Sequence, residues 1–175
     1  MIFERQLHSD EIDQIWSIDR REVIDNLYKI ENGELVLYPD HYDMQGWPPG
    51  EAELYTPLLI DCYNRGGWFE GLFDENRLVA VAILDIKFIG EQKDMLQLKF
   101  LHVSQDYRHQ GLGRQLFEKA KTTARQKGAM KLYISATPSE NTIKFYLNLG
   151  CRVTPEPDPE LYALEPEDIH LEYAI

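Results

Sequence analysis

Apolar residues recur at helical or strand spacing along most of the chain, and changes of period divide it into elements. Ile2, Phe3 and Leu7 suit a first short strand. Ser9 stands before Asp10 and Glu11, an N-cap followed by acids in a first turn, and Ile12, Ile15 and Trp16 continue at helical spacing. Val23, Ile24, Leu27 and Tyr28 repeat that spacing and either extend the helix or begin a second. Between Glu31 and Gly50 the period is lost. Tyr38, His41, Tyr42, Met44 and Trp47 stand there among prolines and glycines, in what reads as a long connection. As a group they are expected to form a substrate-facing wall, although any one of them would serve as well packed on the core.

Thr56-Pro57 reads as an N-cap with proline at the first helical position, opening a helix that buries Leu58, Leu59, Cys62 and Tyr63 and closes at Gly66-Gly67. Trp68 to Phe73 and Leu78 to Lys87 are two strands around an Asp74-Glu75-Asn76 turn. The second is almost continuously apolar, which predicts a central strand covered on both faces. The next strand is irregular: Leu96, Leu98 and Phe100 share one phase, Leu101 and Val103 the other. A slip of one between Phe100 and Leu101 is the trace of a β-bulge, which splays a strand from its neighbour and leaves backbone groups free for a ligand.

A polar loop leads to Gly111 and Gly113, and Leu112, Leu116, Phe117, Ala120 and Ala124 then form one helical stripe ending before Gly128. Leu132, Ile134 and Ala136 alternate in a strand. Pro138-Ser139 opens a helix through Ile143, Phe145, Tyr146 and Leu149 to Gly150. Residues 151 to 153 can form a strand, Pro155 to Glu167 reads as loop, and Ile169, Leu171 and Tyr173 form a last strand. The class is mixed α/β, without repeats or a break in composition, so residues 1–175 are read as a single domain.

The glycine turn is the first candidate for chemistry. Glycines permit close approach, and a helix start offers unpaired N–H groups, a combination suited to phosphate. A P-loop would need Lys followed by Ser or Thr, whereas Arg114-Gln115 follows Gly113. A dinucleotide fingerprint would need a third glycine where Leu116 stands. The net charge of −12 argues against a nucleic-acid binder; it suits a cationic substrate and equally a surface that is acidic only for solubility. No apolar run is long enough to span a bilayer, and the N-terminal residues carry no signal-peptide pattern. The two cysteines, Cys62 and Cys151, lack metal-ligand spacing and read as reduced thiols.

Arg108-His109-Gln110-Gly111-Leu112-Gly113, between a bulged strand and a helix, resembles the acetyl-CoA motif of the GCN5-related N-acetyltransferase (GNAT) family. The likeness continues through Leu101-His102-Val103, Asp106-Tyr107-Arg108, and Ser139 to Gly150 with its Phe145-Tyr146 and Leu149-Gly150. It covers residues 68 to 153 well and the N-terminal third in element order only.

The resemblance implies a mixed, mostly antiparallel central sheet, splayed at the bulged strand and flanked by helices. It implies acetyl-CoA as co-substrate, its pyrophosphate on the backbone of Gln110 to Arg114 within the loop formed by Arg108, His109, Gln110, Gly111, Leu112, Gly113 and Arg114. Pantetheine would pair with the strand at Leu101, His102 and Val103. Tyr146 would protonate the departing thiolate, and either Ser139 or Asn141 would contact the cofactor. Arg114 is as readily a solvated helix residue, and Tyr146 on an apolar face is otherwise core.

The family's glutamate base has Lys99 in its place. His102 is a chemically reasonable substitute and equally suits a structural role, and Asp43, Glu70 and Asp85 are other carboxylates within reach. The function implied is a cytoplasmic, metal-free N-acetyltransferase, monomeric or homodimeric, acting on a small-molecule or peptide amine. The alternatives are a non-catalytic acyl-CoA-binding module and a protein N-terminal or lysine acetyltransferase.

Overall fold

The computed structural model describes residues 1–175. In chain order the strands are β1 (Ile2–Gln6), β2 (Glu22–Glu31), β3 (Glu34–Met44), β4 (Trp68–Asp74), β5 (Arg77–Leu84), β6 (Met95–Val103), β7 (Lys131–Ala136), β8 (Arg152–Val153) and β9 (Ile169–Ala174). The helices are α1 (Glu51–Asn64), α2 (Leu112–Gln126), α3 (Glu140–Leu149) and α4 (Pro159–Leu164), with 3-10 segments at Ser9–Ser17 and Gln105–Tyr107. Seven strands form one sheet in the order β1-β4-β5-β6-β7-β9-β8, and β2 and β3 form a separate hairpin. Every pairing is antiparallel except β6 with β7.

The sheet carries a core on each face. On one, α2 lays down Leu116, Phe117, Ala120 and Ala124, and α3 adds Ile143 and Tyr146, against Ala80, Ala82 and Leu84 of β5 and Leu96 and Leu98 of β6. On the other, Ile12 and Ile15 of the 3-10 segment and Leu59 and Cys62 of α1 cover Val81 and Ile83 of β5 and Phe100 of β6. β5 is thus central and covered on both sides, as its apolar run predicts. Leu98 and Phe100 lie in opposite cores, although an unbroken strand would put them on one face.

The N-terminal third departs from the sequence reading. Residues 22–31 are strand, not helix. The buried pair Ile24 and Leu27 stands three apart, which imitates a helical turn. Residues 34–44 are its partner strand rather than a connection. Asn32 and Gly33 both have positive φ (50° and 80°), the backbone of a two-residue hairpin turn. Between the pairs Ile24–Tyr42 and Asn26–Pro39, β3 carries one residue more than β2, and this irregularity is where a proline is tolerated in a strand.

Ser9–Ser17 winds as 3-10 helix behind His8, whose N–H is accepted by Glu11 at 2.8 Å. α1 starts five residues before Thr56, at Glu51, with acids in its first turn. Pro57 therefore lies inside the helix, and Thr56 Oγ1 accepts from Trp16 Nε1 at 2.9 Å. Within Pro155 to Glu167 there is a further helix, α4, capped by Asp158 Oδ1, which accepts from the N–H groups of Glu160 and Leu161 at 3.1 Å.

Candidate active site

The site begins at one extra residue. β6 pairs Phe100 with Ile83 and Leu98 with Leu84, so Lys99 is the bulge, one position before the predicted slip. Before it, Met95, Leu96 and Gln97 pair with β7; after it, the two strands part. The Ser104 N–H donates to Val79 O at 2.8 Å, so the alternation of an antiparallel ladder turns the peptide groups of His102 and Phe100 toward β5. Those of Leu101 and Val103 face the gap. The Val103 carbonyl accepts from Arg108 Nε at 3.0 Å, while Leu101 keeps an edge open to an incoming strand-like ligand.

At the far end of the gap the chain turns into α2. His109 and Gly111 have positive φ (62° and 82°), and Gly111 is the N-cap. The first bond of the helix runs from Gln115 N–H to Gly111 O at 3.0 Å, which leaves the N–H groups of Leu112, Gly113 and Arg114 without protein acceptors. No acid stands in this first turn. A β-carbon on Gly111 would meet nothing within 4 Å, so the space above it is open. This is a seat for an anion, and it fits a pyrophosphate.

The loop is held by Arg108, whose guanidinium donates to Val103 O (3.0 Å), Arg21 O (2.9 Å) and Asp19 O (3.1 Å). Its side chain therefore positions the loop rather than reaching an anion.

Gap and loop open into one groove of ≈ 400 Å³ that runs through the sheet. Leu101, His102, Val103, Arg108, His109, Gly111, Leu112, Gly113, Arg114, Asn141 and Tyr146, all expected from sequence, line it together. Gln110 does not line it: its side chain is exposed, with its amide 3.5 Å from Asp106 O. Ser139 does not either. It is buried at the head of α3, and its hydroxyl donates to Thr142 Oγ1 at 2.9 Å. Asn141, whose Nδ2 lies 3.2 Å from Glu22 Oε1, is the one of that pair which faces the groove.

Tyr146 is 5% exposed, and no protein group bonds its hydroxyl. No fully buried side-chain N or O lacks a partner, so this hydroxyl opens on the groove. Burial, then the neighbouring Cys151, pushes its pKa above the usual phenol value, and it stays protonated at neutral pH.

On the opposite face of the sheet, His102 packs edge-on to Trp47 and Phe100, with ring centroids 4.8 and 5.3 Å away. Burial, then the charges of Arg20 and Arg108, depress its pKa well below 6.5, and its imidazole is neutral. Asp43 is exposed on β3, Glu70 is buried against Lys119, and Asp85 is held by Arg65 at 2.7 Å. None of the three lines the groove.

The aromatic wall expected of residues 38–47 is not there. Tyr38, His41, Tyr42 and Met44 belong to the hairpin, and Trp47 supports the groove from behind, its Nε1 donating to Ile18 O at 3.0 Å. Tyr55 and Phe100 line the groove in their place, with Arg20, Glu51, Glu165 and Asp168. These four charged residues come from three segments, Glu165 and Asp168 sharing one, and only the fold brings the three together.

The model of the acetyltransferase (GNAT) family matches residues 25–151. The chain belongs to this family. Three solved structures show the same fold along nearly the whole chain. A nourseothricin acetyltransferase is 16% identical with a TM-score of 0.72, covering 99% of this chain and 98% of its own. The PaiA N-acetyltransferase of Thermoplasma acidophilum, in complex with coenzyme A, is 17% identical with a TM-score of 0.66, covering 100% and 99%. The ribosomal-protein-S18-alanine N-acetyltransferase of Escherichia coli is 18% identical with a TM-score of 0.61, covering 100% and 94%. A search of curated proteins finds no match to the sequence.

As a GNAT member the protein is an acetyl-CoA-dependent acetyltransferase, with the mixed, splayed sheet that the glycine motif implies. The open Leu101 edge and the bare α2 N-terminus fit the two polar parts of the co-substrate, pantetheine amides and pyrophosphate. No helix is long and apolar enough to cross a membrane.

Proposed function

We propose that this acetyltransferase moves an acetyl group from acetyl-CoA directly to a primary amine of a small molecule, with Tyr146 as proton donor to the leaving sulfur. The observation that carries this reading is the Tyr146 hydroxyl: buried, protonated, unpartnered, and facing the groove beside the splay. Acetyl-CoA supplies an activated thioester. The protein's part is to align the amine with it, to offer a β6 N–H where carbonyl charge develops, and to meet the departing thiolate with a phenol O–H.

Direct transfer is supported by the thiols. Cys62 and Cys151 are buried, outside the groove, and each is pushed up to about 12 by burial, so neither supplies a thiolate for an acyl-enzyme. His102 presents a neutral imidazole from the other face and is assigned as the group that takes the amine proton. Asn141, His109 and the residues from Gly111 to Arg114 hold the co-substrate, and Arg108 holds the loop for them.

The test is Tyr146→Phe under steady-state turnover with an amine panel. The loss of one proton donor should lower kcat by about 10²-fold or more, with CoA affinity nearly intact. Unchanged kcat across the pH range removes Tyr146 as the acid.

A further inference from the structure

The groove's α1 face carries a charge imbalance that the transfer chemistry leaves unused. Four carboxylates line the groove: Glu22, whose Oε1 lies 3.2 Å from Asn141 Nδ2, and Glu51, Glu165 and Asp168. Glu51 is paired with Arg20 at 3.2 Å, and Lys99, the other nearby cation, is held by Asp85 at 3.5 Å. Glu165 receives a hydrogen bond from the Tyr55 hydroxyl at 2.7 Å, but neither it nor Asp168 forms an ion pair. The Asp168 N–H donates to Glu165 O at 3.3 Å, and both residues line the groove. Burial, then the hydrogen bond and charge of Glu165, pushes the Asp168 carboxyl up to about 9. One carboxyl of such a pair keeps its proton at neutral pH, so the pair carries a negative charge that no protein cation pairs with directly, and an ammonium ligand can take that proton's place.

The arrangement is also fixed in place. The Glu165 N–H donates to Leu161 O at 3.0 Å, and Glu165 O lies 3.0 Å from His170 Nε2. Since Nε2 can only donate to a carbonyl, Nδ1 is the acceptor, and it receives the Tyr133 hydroxyl at 2.6 Å. The Tyr133 hydroxyl accepts in turn from the Asp158 N–H at 3.0 Å, which ties α4 to the sheet. An independent sign of a ligand in the same groove is the Tyr146 hydroxyl, on a side chain more than nine-tenths buried and with no protein partner.

We propose that Glu165 and Asp168 form a subsite for a second positive charge on the acceptor, so that the substrate is a small molecule carrying two amino groups. One amine is acetylated beside Tyr146, and the other stays protonated between the two carboxyls, supplying the positive charge that Arg20, paired with Glu51, does not supply there. The subsite rests on the amine-acetyltransferase reading above.

The experiment compares kcat/KM for α,ω-diamines and n-alkylamines of equal carbon number, at saturating acetyl-CoA, in wild type, Glu165→Gln and Asp168→Asn. Wild type should prefer the diamine by about tenfold or more, the equivalent of one charge-assisted hydrogen bond. In each variant that ratio should fall toward one. A CoA-dependent rise in Tm shows that a variant is folded with its cofactor site intact, and if one fails this check, the wild-type ratio still decides. Asp168→Lys should shift preference to amines bearing a carboxylate.

Equal use of monoamines by wild type, or a diamine preference that survives in both neutral variants, overturns the subsite alone. Turnover of no amine while CoA still binds overturns the amine reading and the subsite with it. A lysine peptide that outperforms every diamine overturns the small-molecule assignment.

Discussion

Lys99 decides the geometry of the site by its place in the strand, and it lines the groove with its ammonium held by Asp85 at 3.5 Å. As the extra residue of β6 it reverses the strand's facing, so that Leu101 and Val103 lie with α2 and α3 while Phe100 and His102 face α1. Gly111 has the complementary role at the phosphate end. Its φ of 82° lies where a β-branched side chain is strained, and its missing β-carbon borders the open groove. Gly111→Val should raise the Kd for CoA at least about tenfold and cost about 1–2 kcal/mol of stability. Calorimetric titration and urea unfolding measure the two effects, and tight CoA binding in this variant contradicts the phosphate-loop assignment.

At the residue scale the motif was legible because glycine spacing and the phase slip are local signals. The slip was still read one position late, since Leu98 and Phe100 are both apolar and belong to different cores. Arg108 was legible as part of the motif. Its partners were not: two of its three carbonyls lie more than 85 residues earlier in the chain, on Asp19 and Arg21.

Among the elements, those with a clear apolar pattern were legible: β4, α2, β7 and α3 stand where that pattern puts them, and β5 does too except that it ends at Leu84, three residues short of Lys87. The hairpin β2–β3 was missed because its buried residues imitate helical spacing and its irregularity at Pro39 hides the alternation. The Asn32-Gly33 turn was the signal that could have found it. α4 was missed because a six-residue helix has too few apolar positions to show a period, although Asp158-Pro159 is an N-cap with proline at N1. That cap is testable. Asp158→Ala removes the acceptor of two N–H groups and should cost about 1 kcal/mol. Hydrogen exchange should quicken across residues 159–165, which carry Glu165, and unchanged protection there contradicts the cap's role.

For the whole molecule, the sheet works as a partition. In the proposed reaction the co-substrate lies on the side of α2 and α3, the acceptor on the side of α1, and the two meet through the splay between β6 and β7. The acceptor side was the least legible part. Arg20, Glu51 and the pair Glu165 and Asp168 are far apart in sequence, and nothing local marks any of them.

Their assembly should show in the dependence of stability on pH. The Asp168 carboxyl is raised to about 9, so between the ordinary carboxylate range and pH 9 the folded state binds the extra proton, and this contribution is lost as pH rises. His102 acts oppositely. Its folded pKa is depressed, so the unfolded chain binds more protons below about pH 6.5, and stability falls on acidification. The Tm of wild type should therefore decline from pH 7 to 9 through Asp168, and Asp168→Asn should flatten that slope. His102→Gln should flatten the acidic limb. Slopes unchanged in both variants contradict the burial assigned to these groups.

The central claim is that an acetyl group passes directly from acetyl-CoA to an amine within this groove. Simultaneous measurement of free CoA thiol and N-acetylated product in a single turnover tests it most directly. One product should form for each thiol released, with no thiol released while the amine is withheld. A stoichiometric burst of thiol before amine is added, leaving acetylated enzyme, would contradict it.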